Sequence, residues 1–342
     1  MKSEILIGKI EQSTSRTLAK KEKFLIEEQK KSNGSFFVAK NFQKEIVSDI
    51  ERCSELWQEF SPQKTIFDTW EFRLAFYNAY HDQPHFVLLK NRKGQNLGLL
   101  PLWYEKDKRK YFWFGSWWQE ETEFFVKDLE LVPLLLEMAP SPMHLNAIPK
   151  ESILPFKDEI KFNRDDSKYV LNLEGLKTHE DYLMTLKKNR RHDLRKDRRR
   201  IEKQNPEIII NNFPDFKNLI DICKKRFAEK GQHTDWEDKG RVKTFEEVLR
   251  LGNKSYENRM ITVRIGDKIA GVDLIGLFNK TYFTLKCGYD VSNFHGIGNF
   301  MNLLEIDDAI KLGMKKIDFL QNNYGWKSQY FESVPLFKYN KN

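Results

Sequence analysis

The chain has 342 residues, of which 40% are hydrophobic and 13% aromatic, a composition typical of a folded protein and not of a disordered one. Its length favours two domains or two similar halves. No stretch approaches about 18 uninterrupted apolar residues, and the N-terminus lacks the apolar core of a secretory signal. The three cysteines are far apart and in no metal-ligand spacing. We therefore expect a soluble, cytoplasmic protein without a metal site.

The first series of predicted elements follows a polar N-terminal segment. Residues 1–45 are rich in Lys, Glu, Gln and Ser and are predicted to be a tail. Apolar residues at three- and four-residue intervals then predict helices over 47–60 and 69–80. Three strand patterns follow, "HFVLLKN", "NLGLLPLWYE" and "KYFWFGS", before a further helix and two more strands.

The second series repeats this order. "DFKNLIDICKKRFAEKG" and "RVKTFEEVLRLG" predict helices that end at glycine, and three strands follow in "MITVRIG", "KIAGVDLIGLF" and "TYFTLKCGYD". A glycine-containing loop then precedes a predicted helix and the strand "KKIDFL". The shared order predicts a duplicated unit, with one half at 46–170 and the other at 171–342.

The loop before that last helix has features of an anion site. A helix N-terminus presents unpaired N–H groups and a partial positive charge, and Gly296 and Gly298 would let a ligand approach the backbone closely. An isolated Gly-x-Gly more often only shapes a connection. The position after a three-strand meander and before a helix favours a phosphate cradle.

This arrangement resembles the acyl-CoA core of the GNAT superfamily, whose pyrophosphate loop follows the pattern Arg/Gln-x-x-Gly-x-Gly/Ala. Residues 293–298 match it, except that Asn293 replaces the first Arg or Gln. The resemblance implies an α+β fold of two GNAT-like halves, each a mixed central sheet flanked by helices. The first half would be degenerate, because it lacks a Gly-x-Gly after its third strand, and the second would bind the acyl donor.

Three segments extend the resemblance over roughly residues 50–335: "LKKNRRHDLRKDRRRIEK", "CGYDVSNFHGIG" and "IDFLQNNYGWKSQYF". In this order they resemble the CelD-type acyltransferases linked to polysaccharide biosynthesis. They also resemble the FemAB peptidyltransferases, which take an amino acid from aminoacyl-tRNA. FemAB proteins commonly carry a long helical hairpin that is not visible in this sequence, and its absence favours acyl-CoA as the donor.

Acyl transfer requires groups that bind the donor, polarise its carbonyl, deprotonate an amine and protonate the leaving thiolate. The resemblance suggests these donor-binding residues: Lys286, Cys287, Gly288, Asn293, His295, Gly296, Ile297 and Gly298. Backbone N–H groups at Lys286 to Gly288 would bind the carbonyl oxygen. The Cys287 side chain itself is expected to be small and buried, and His295 could be only a polar turn residue.

The catalytic candidates are Asp318, Tyr324 and Lys327. Asp318 stands in an apolar strand, where a carboxylate is costly unless partnered, so it either accepts the amine's proton or pairs with a buried Lys. The resemblance implies that Tyr324 protonates the thiolate, with Tyr289 and Tyr330 as alternatives. It also implies that Lys327 neutralises a phosphate or orients an acceptor, although an ordinary surface lysine is equally compatible with the pattern.

Three further residues are candidates for substrate binding. Trp117 and Trp118 follow an aromatic strand and are expected to line the cleft between the halves, where they could contact an acceptor. Asp290 either contacts the substrate or caps the loop.

The segment 187–203 carries ten Lys or Arg residues against Asp193, Asp197 and Glu202, and so accounts for most of the net charge of +8. A solvated helix screened by its own acidic residues is one interpretation. Binding to RNA phosphates or to anionic lipid at the inner face of the membrane are the others.

The sequence therefore predicts a GNAT-type acyltransferase that uses acyl-CoA and modifies an amine or hydroxyl of a sugar, amino acid or envelope precursor. Three alternatives stay open. They are a FemAB-like aminoacyl-tRNA-dependent peptidyltransferase, a non-catalytic GNAT-fold binding module, and an adaptor on a lipid surface.

Overall fold

The computed structural model describes residues 42–116 and 120–342. The predicted tail lies outside the described residues up to position 41, and so do Trp117 and Trp118. The first strand begins at Phe42, inside the segment predicted as tail.

The described strands are β1 Phe42–Val47, β2 Gln83–Asn91, β3 Asn96–Glu105, β4 Lys110–Trp113, β5 Phe125–Val126, β6 Met143–Pro149, β7 Asn163–Arg164, β8 Lys168–Asn172, β9 Glu207–Ile210, β10 Glu257–Ile265, β11 Lys268–Phe278, β12 Thr281–Tyr289, β13 Lys316–Gln321, β14 Glu332–Val334 and β15 Leu336–Lys341. The described helices are α1 Ile50–Phe60, α2 Trp70–Tyr80, α3 Val132–Met138, α4 His179–Thr185, α5 Lys188–Glu202, α6 Phe216–Ala228, α7 Lys239–Leu251 and α8 Ile297–Lys311.

These strands form two mixed sheets. The first has the order β1-β2-β3-β4-β6-β15-β7, with β5 beside β3, and the second has the order β14-β8-β13-β12-β11-β10-β9. One pair in each sheet is parallel, β4 with β6 and β12 with β13. The chain's last strand, β15, returns to the first sheet, and β8 in the second sheet spans the predicted boundary at 170/171. The prediction of an α+β fold with two mixed sheets flanked by helices is confirmed.

Local sequence explains the first helix and the contact between the halves. The Asp49 side chain accepts a hydrogen bond from Arg52 N at 2.9 Å and so caps α1. Leu56 and Trp57, on the apolar side of α1, are fully buried. The Phe67 ring packs edge-on against Phe283 of β12, with 5.7 Å between ring centroids, so the two halves share one core.

Strands β12 and β13 pair only at their beginnings. Thr281 to Phe283 lie opposite Lys316 to Asp318, and the ladder continues no further. Beyond it, a bulge interrupts the pairing of β12 with β11 at Leu285, and β13 bends at Leu320, whose φ is +63°. The two strands therefore diverge and leave a wedge-shaped gap, which we call the splay, between 284–289 of β12 and 319–321 of β13.

Gly288 is required where α6 crosses β12. A Cβ at this position would lie 2.6 Å from the Leu219 carbonyl oxygen and 3.0 Å from Leu219 Cα, both backbone atoms of α6. We expect Gly288→Ala to lower the free energy of unfolding by about 1–3 kcal/mol, because backbone has to move. Urea denaturation measures this change. Gly298→Ala is the control with a smaller effect, since its Cβ would meet only the Tyr289 ring, at 3.3 Å. Equal stability of Gly288→Ala and wild type would contradict this packing.

Candidate active site

A buried ionic triad holds the base of the splay. Lys168 of β8 donates to Asp318 Oδ2 of β13 at 3.0 Å and also to Glu121, which precedes β5. Lys168 is 5% exposed and Asp318 only 1%. The other Asp318 oxygen accepts from Leu320 N at 2.9 Å, at the bend of β13. Asp318 thus has the buried lysine partner that its apolar surroundings require, and this geometry favours a positioning role.

Lys327 lies in the short 3-10 turn Lys327–Gln329 and is buried. Its ammonium donates to the carbonyl oxygens of Phe319 at 2.5 Å and Gln321 at 2.8 Å, which lie at the end of β13. Burial lowers the pKa of Lys327, and the negative charge of Glu120 opposes that shift. Lys327 is therefore no ordinary surface lysine, and it fixes the backbone on one side of the splay.

Glu120 reaches the same strand end from the first half of the chain. Its carboxylate accepts a hydrogen bond from Gln321 N, and the side chain is half-buried. Burial raises the pKa of Glu120, while the Gln321 hydrogen bond and the charges of Lys286 and Lys327 counteract the rise. The first half thus supplies an acidic group to a site otherwise built from the second.

Lys286 is the cationic group on the β12 side. Its ammonium lies 5.9 Å from the Trp236 ring centroid and 5.2 Å from that of Phe245 in α7. Burial and the positive charge of Arg241 lower the pKa of Lys286 to about 8, against the opposing effect of Asp235. The splay therefore contains a carboxylic acid and an amine whose pKa values are displaced toward neutrality, a property common at sites of proton transfer.

Two predicted residues are open to solvent. The Tyr324 side chain is 76% exposed, and its ring lies 5.4 Å from the Lys327 ammonium. Partial desolvation of the Tyr324 hydroxyl by neighbouring protein atoms and the negative charge of Glu120 raise the pKa of this hydroxyl. The expectation that Cys287 is buried is wrong, because its side chain is exposed. Its carbonyl accepts from the Cys223 thiol at 3.1 Å.

The glycine loop is tied together by its own side chains. Asp290 accepts from Asn293 N at 3.2 Å and from Asn293 Nδ2 at 2.7 Å, so it caps the loop and occupies that amide. His295 Nδ1 lies 3.1 Å from Arg200 of α5. Ile297 is fully buried in the core, and Gly298 lies against the Tyr289 ring.

A carboxylate already lies against the predicted phosphate cradle. Gly296 has φ +92°, and a Cβ there would be 2.8 Å from Asp197 Cγ. Asp197 in turn accepts from Asn299 at 2.7 Å and from Arg200 at 3.0 Å. A pyrophosphate at this turn would meet a fixed negative charge. The turn does not fit a CoA pyrophosphate while Asp197 stays in this position.

Helix α5 has two distinct sides. Leu194 and Ile201 are buried, and Arg198 pairs with Glu202 at 2.7 Å, so one side is packed and screened. On the other side, four exposed cations lie beyond ion-pairing distance of any acidic group among the described residues: Lys188, Lys196, Arg199 and Lys203. We call these four residues the cationic face. Arg190 lies on the packed side, 5.9 Å from the centroid of the Tyr330 ring, so the first turn of α5 lies beside the segment that follows the splay.

Sequence reasoning missed the acidic and basic partners of the site. Glu120 and Glu121 follow an aromatic run, and Lys168 begins an apolar strand. Charged residues in such positions were the available signal.

Within the described ranges, no helix has the length and apolar character needed to cross a bilayer.

The fold and the splay define the class. Residues 188–328 match the family model of an acetyltransferase (GNAT) domain. The two mixed sheets, the divergent parallel strands and this match together give the chain a two-half GNAT fold.

Solved structures with this fold are distant in sequence. FemX superposes with a TM-score of 0.57 at 10% identity, over 88% of this chain and 98% of that one. L-PGS from Bacillus licheniformis superposes with a TM-score of 0.53 at 11% identity, over 86% and 93%. A tandem GNAT protein from the clavulanic acid biosynthesis pathway gives 0.50 at 7% identity, over 87% and 98%. No curated protein matches the sequence significantly.

Proposed function

We propose that the protein is a transferase that moves an acyl or aminoacyl group from an activated donor to an amine or hydroxyl acceptor. The observation that carries this proposal is the splay, with Lys286 on one strand and Lys327 and Glu120 at the other. Divergent parallel strands expose backbone N–H groups that can bind an acyl carbonyl. The nearby ammonium groups reduce the cost of negative charge on its oxygen during transfer.

Each residue of the splay has a proposed role. Backbone N–H groups at Lys286 to Gly288 bind the carbonyl oxygen, next to the bulge at Leu285. Lys327 keeps the β13 carbonyls fixed, and Asp318 maintains the bend of that strand. Tyr324, whose ring lies beside the Lys327 ammonium, protonates the leaving group.

Aminoacyl-tRNA is the proposed donor, and the position of Asp197 favours it. A carboxylate against the Gly296 turn opposes a CoA pyrophosphate but does not affect an RNA that binds elsewhere. The cationic face of α5 offers four exposed positive charges for RNA phosphates, and the first turn of this helix lies beside Tyr330. The described part of the second half has no long helical hairpin, yet the chain superposes on 98% of FemX.

Acyl-CoA is the second candidate donor, supported by the match to an acetyltransferase (GNAT) domain. In that case Asn293, His295, Gly296, Ile297 and Gly298 would form the binding loop, and Asp197 would have to leave the turn. The acceptor would be a sugar, amino acid or envelope precursor held in the cleft between the halves, where Asp290, Trp117 and Trp118 remain candidates for contacts. A polysaccharide precursor is one member of this class.

Binding assays separate the two donors. We expect labelled aminoacyl-tRNA to bind the wild type in about 100 mM salt, and Lys196→Glu/Arg199→Glu to weaken this binding at least about tenfold, because phosphate contacts are lost and repulsion is added. Lys311→Glu/Lys315→Glu is the matched control, since both lysines are exposed outside α5. Its binding should stay close to wild type.

Thermal shift with acetyl-CoA and a long-chain acyl-CoA provides the complementary measurement. We expect neither to stabilise the wild type. Stabilisation by either one that increases in Asp197→Ala would instead identify acyl-CoA as the donor. If neither tRNA nor any acyl-CoA binds, the transferase proposal is wrong and a non-catalytic role is left. Sedimentation with anionic vesicles in the same buffer tests whether the cationic face binds lipid.

A further inference from the structure

The short segment between β4 and β5 brings two glutamates of the first half to the second half. Glu121 is bound to Lys168, so its carboxylate belongs to the buried triad. Glu120 differs, because its hydrogen bond comes from a backbone N–H, that of Gln321, and its side chain is only half-buried. A ligand in the splay can therefore reach the Glu120 carboxylate, whereas Glu121 and Asp318 are already occupied.

We propose that Glu120 is the group that accepts the acceptor's proton during transfer, an inference that rests on the proposed function. The hydrogen bond from Gln321 N fixes one carboxylate oxygen at the end of β13, on the edge of the splay. The other oxygen is available for an N–H or O–H of the acceptor. A proton acceptor supplied by the first half would make the cleft between the halves, and not the second half alone, the complete site.

The charged groups around Glu120 come from several elements and suit this role. They are Lys286 of β12, Arg241 of α7, Asp318 of β13, and Tyr324 and Lys327 of the following segment. The charges of Lys286 and Lys327 lower the pKa of the Glu120 carboxyl and so favour its ionised form, whereas the charge of Asp318 raises that pKa. Burial moves the pKa of Glu120 upward, toward the pH at which a base is most effective.

The proposed step balances as follows. The lone pair of the acceptor nitrogen or oxygen forms a bond to the acyl carbon, and the proton of that N–H or O–H moves to the Glu120 carboxylate. The bond between the acyl carbon and the donor oxygen, or sulfur for a thioester, then breaks, and the leaving group takes a proton from the Tyr324 hydroxyl. Glu120 afterwards releases its proton to water, and Tyr324 regains one from water.

The conservative variant Glu120→Gln removes the base but keeps the hydrogen bond, so the two contributions can be told apart. In Glu120→Gln the amide oxygen can still accept from Gln321 N, so the fold is retained while the basic carboxylate is lost. We expect the turnover rate to fall at least about 100-fold, with donor binding and melting temperature unchanged. Glu123→Gln is the matched control, because Glu123 lies in the same segment but pairs with the surface residue Lys64 at 2.7 Å. It should keep wild-type turnover.

The assay is enzyme-dependent deacylation of labelled aminoacyl-tRNA or acyl-CoA, with glucosamine or lysine supplied as amine acceptors, over pH 5 to 9. The wild-type rate should rise with pH as Glu120 loses its proton, and Glu120→Gln should lose this acidic limb. Formate should restore part of the activity of Glu120→Ala. Wild-type turnover and an unchanged pH profile in Glu120→Gln, or no rescue of a folded Glu120→Ala, would overturn the inference. No turnover by the wild type with either donor would instead count against the proposed function.

Discussion

Lys168→Met is expected to lower the free energy of unfolding by about 3–5 kcal/mol, because it leaves two carboxylates buried without their cation. Asp318 is 1% exposed, and Glu121 contacts the same ammonium group. Asp318 is also held by the hydrogen bond from Leu320 N, and the Glu121 side chain is only 17% exposed. Equilibrium urea denaturation, monitored by tryptophan fluorescence, measures the loss.

Two further variants distinguish the loss of the lysine charge alone from the loss of all three charges of the triad, and from the loss of a surface lysine. Lys168→Met/Asp318→Asn/Glu121→Gln removes all three charges, so it should recover most of the stability lost in the single variant. Lys64→Met removes the cation of a pair whose lysine is 61% exposed, and its effect should stay below about 1 kcal/mol. Equal losses for Lys168→Met and Lys64→Met would show that the triad does not stabilise the fold as inferred.

Elements with local sequence signals could be predicted. The strands of both meanders are short apolar runs between turn residues, and the predicted helix at 69–80 corresponds to α2 at Trp70–Tyr80. The need for a partner at Asp318 could also be predicted, because a carboxylate in an apolar strand is costly without one. The identity of that partner, Lys168, could not be predicted, since it lies 150 residues away in sequence.

Contacts between distant segments explain what sequence reasoning missed. Glu120 meets Gln321 across 201 positions, and Asp197 meets Asn299 across 102. Neither of these contacts leaves a periodic pattern in the sequence, because each contact depends on how the helices and sheets pack. The glycine loop therefore looked like an open phosphate cradle from its own residues alone. Helix α5, which was predicted as a helix but without its packing partners, brings the Asp197 carboxylate against it.

Asp273→Asn is expected to stabilise the protein above neutral pH, the opposite of the usual effect of removing a buried polar group. Asp273 of β11 and Glu305 of α8 are 1% and 2% exposed, and they are neighbours. Burial raises the pKa of Asp273 to about 7, and burial together with the charge of Asp273 raises that of Glu305 further. The fold therefore favours the protonated carboxyl groups.

The pH dependence follows from this direction of shift. An Asp titrates near 3.9 in the unfolded chain, so the folded state binds more protons between about pH 4 and 7. The stability contributed by the protonated Asp273 is fully present below pH 4 and is lost as the pH rises through 7. We expect the wild type to lose on the order of 2–4 kcal/mol over this range from Asp273, and Asp273→Asn to lack that component. Urea denaturation at pH 5, 6, 7 and 8 measures it.

Asp308→Asn is the contrasting variant, since Asp308 lies one helical turn beyond Glu305 but has a cation. Arg259 donates to both of its oxygens at 2.6 Å, and the Tyr282 hydroxyl donates at 3.2 Å. Removing this charge leaves the Arg259 guanidinium, which is largely buried, without its partner, so Asp308→Asn should destabilise the protein at pH 8. Opposite signs for the two Asp→Asn variants at pH 8 would follow because no cation among the described residues forms an ion pair with Asp273. The same sign for both would mean that Asp273 is ionised and stabilised in the fold.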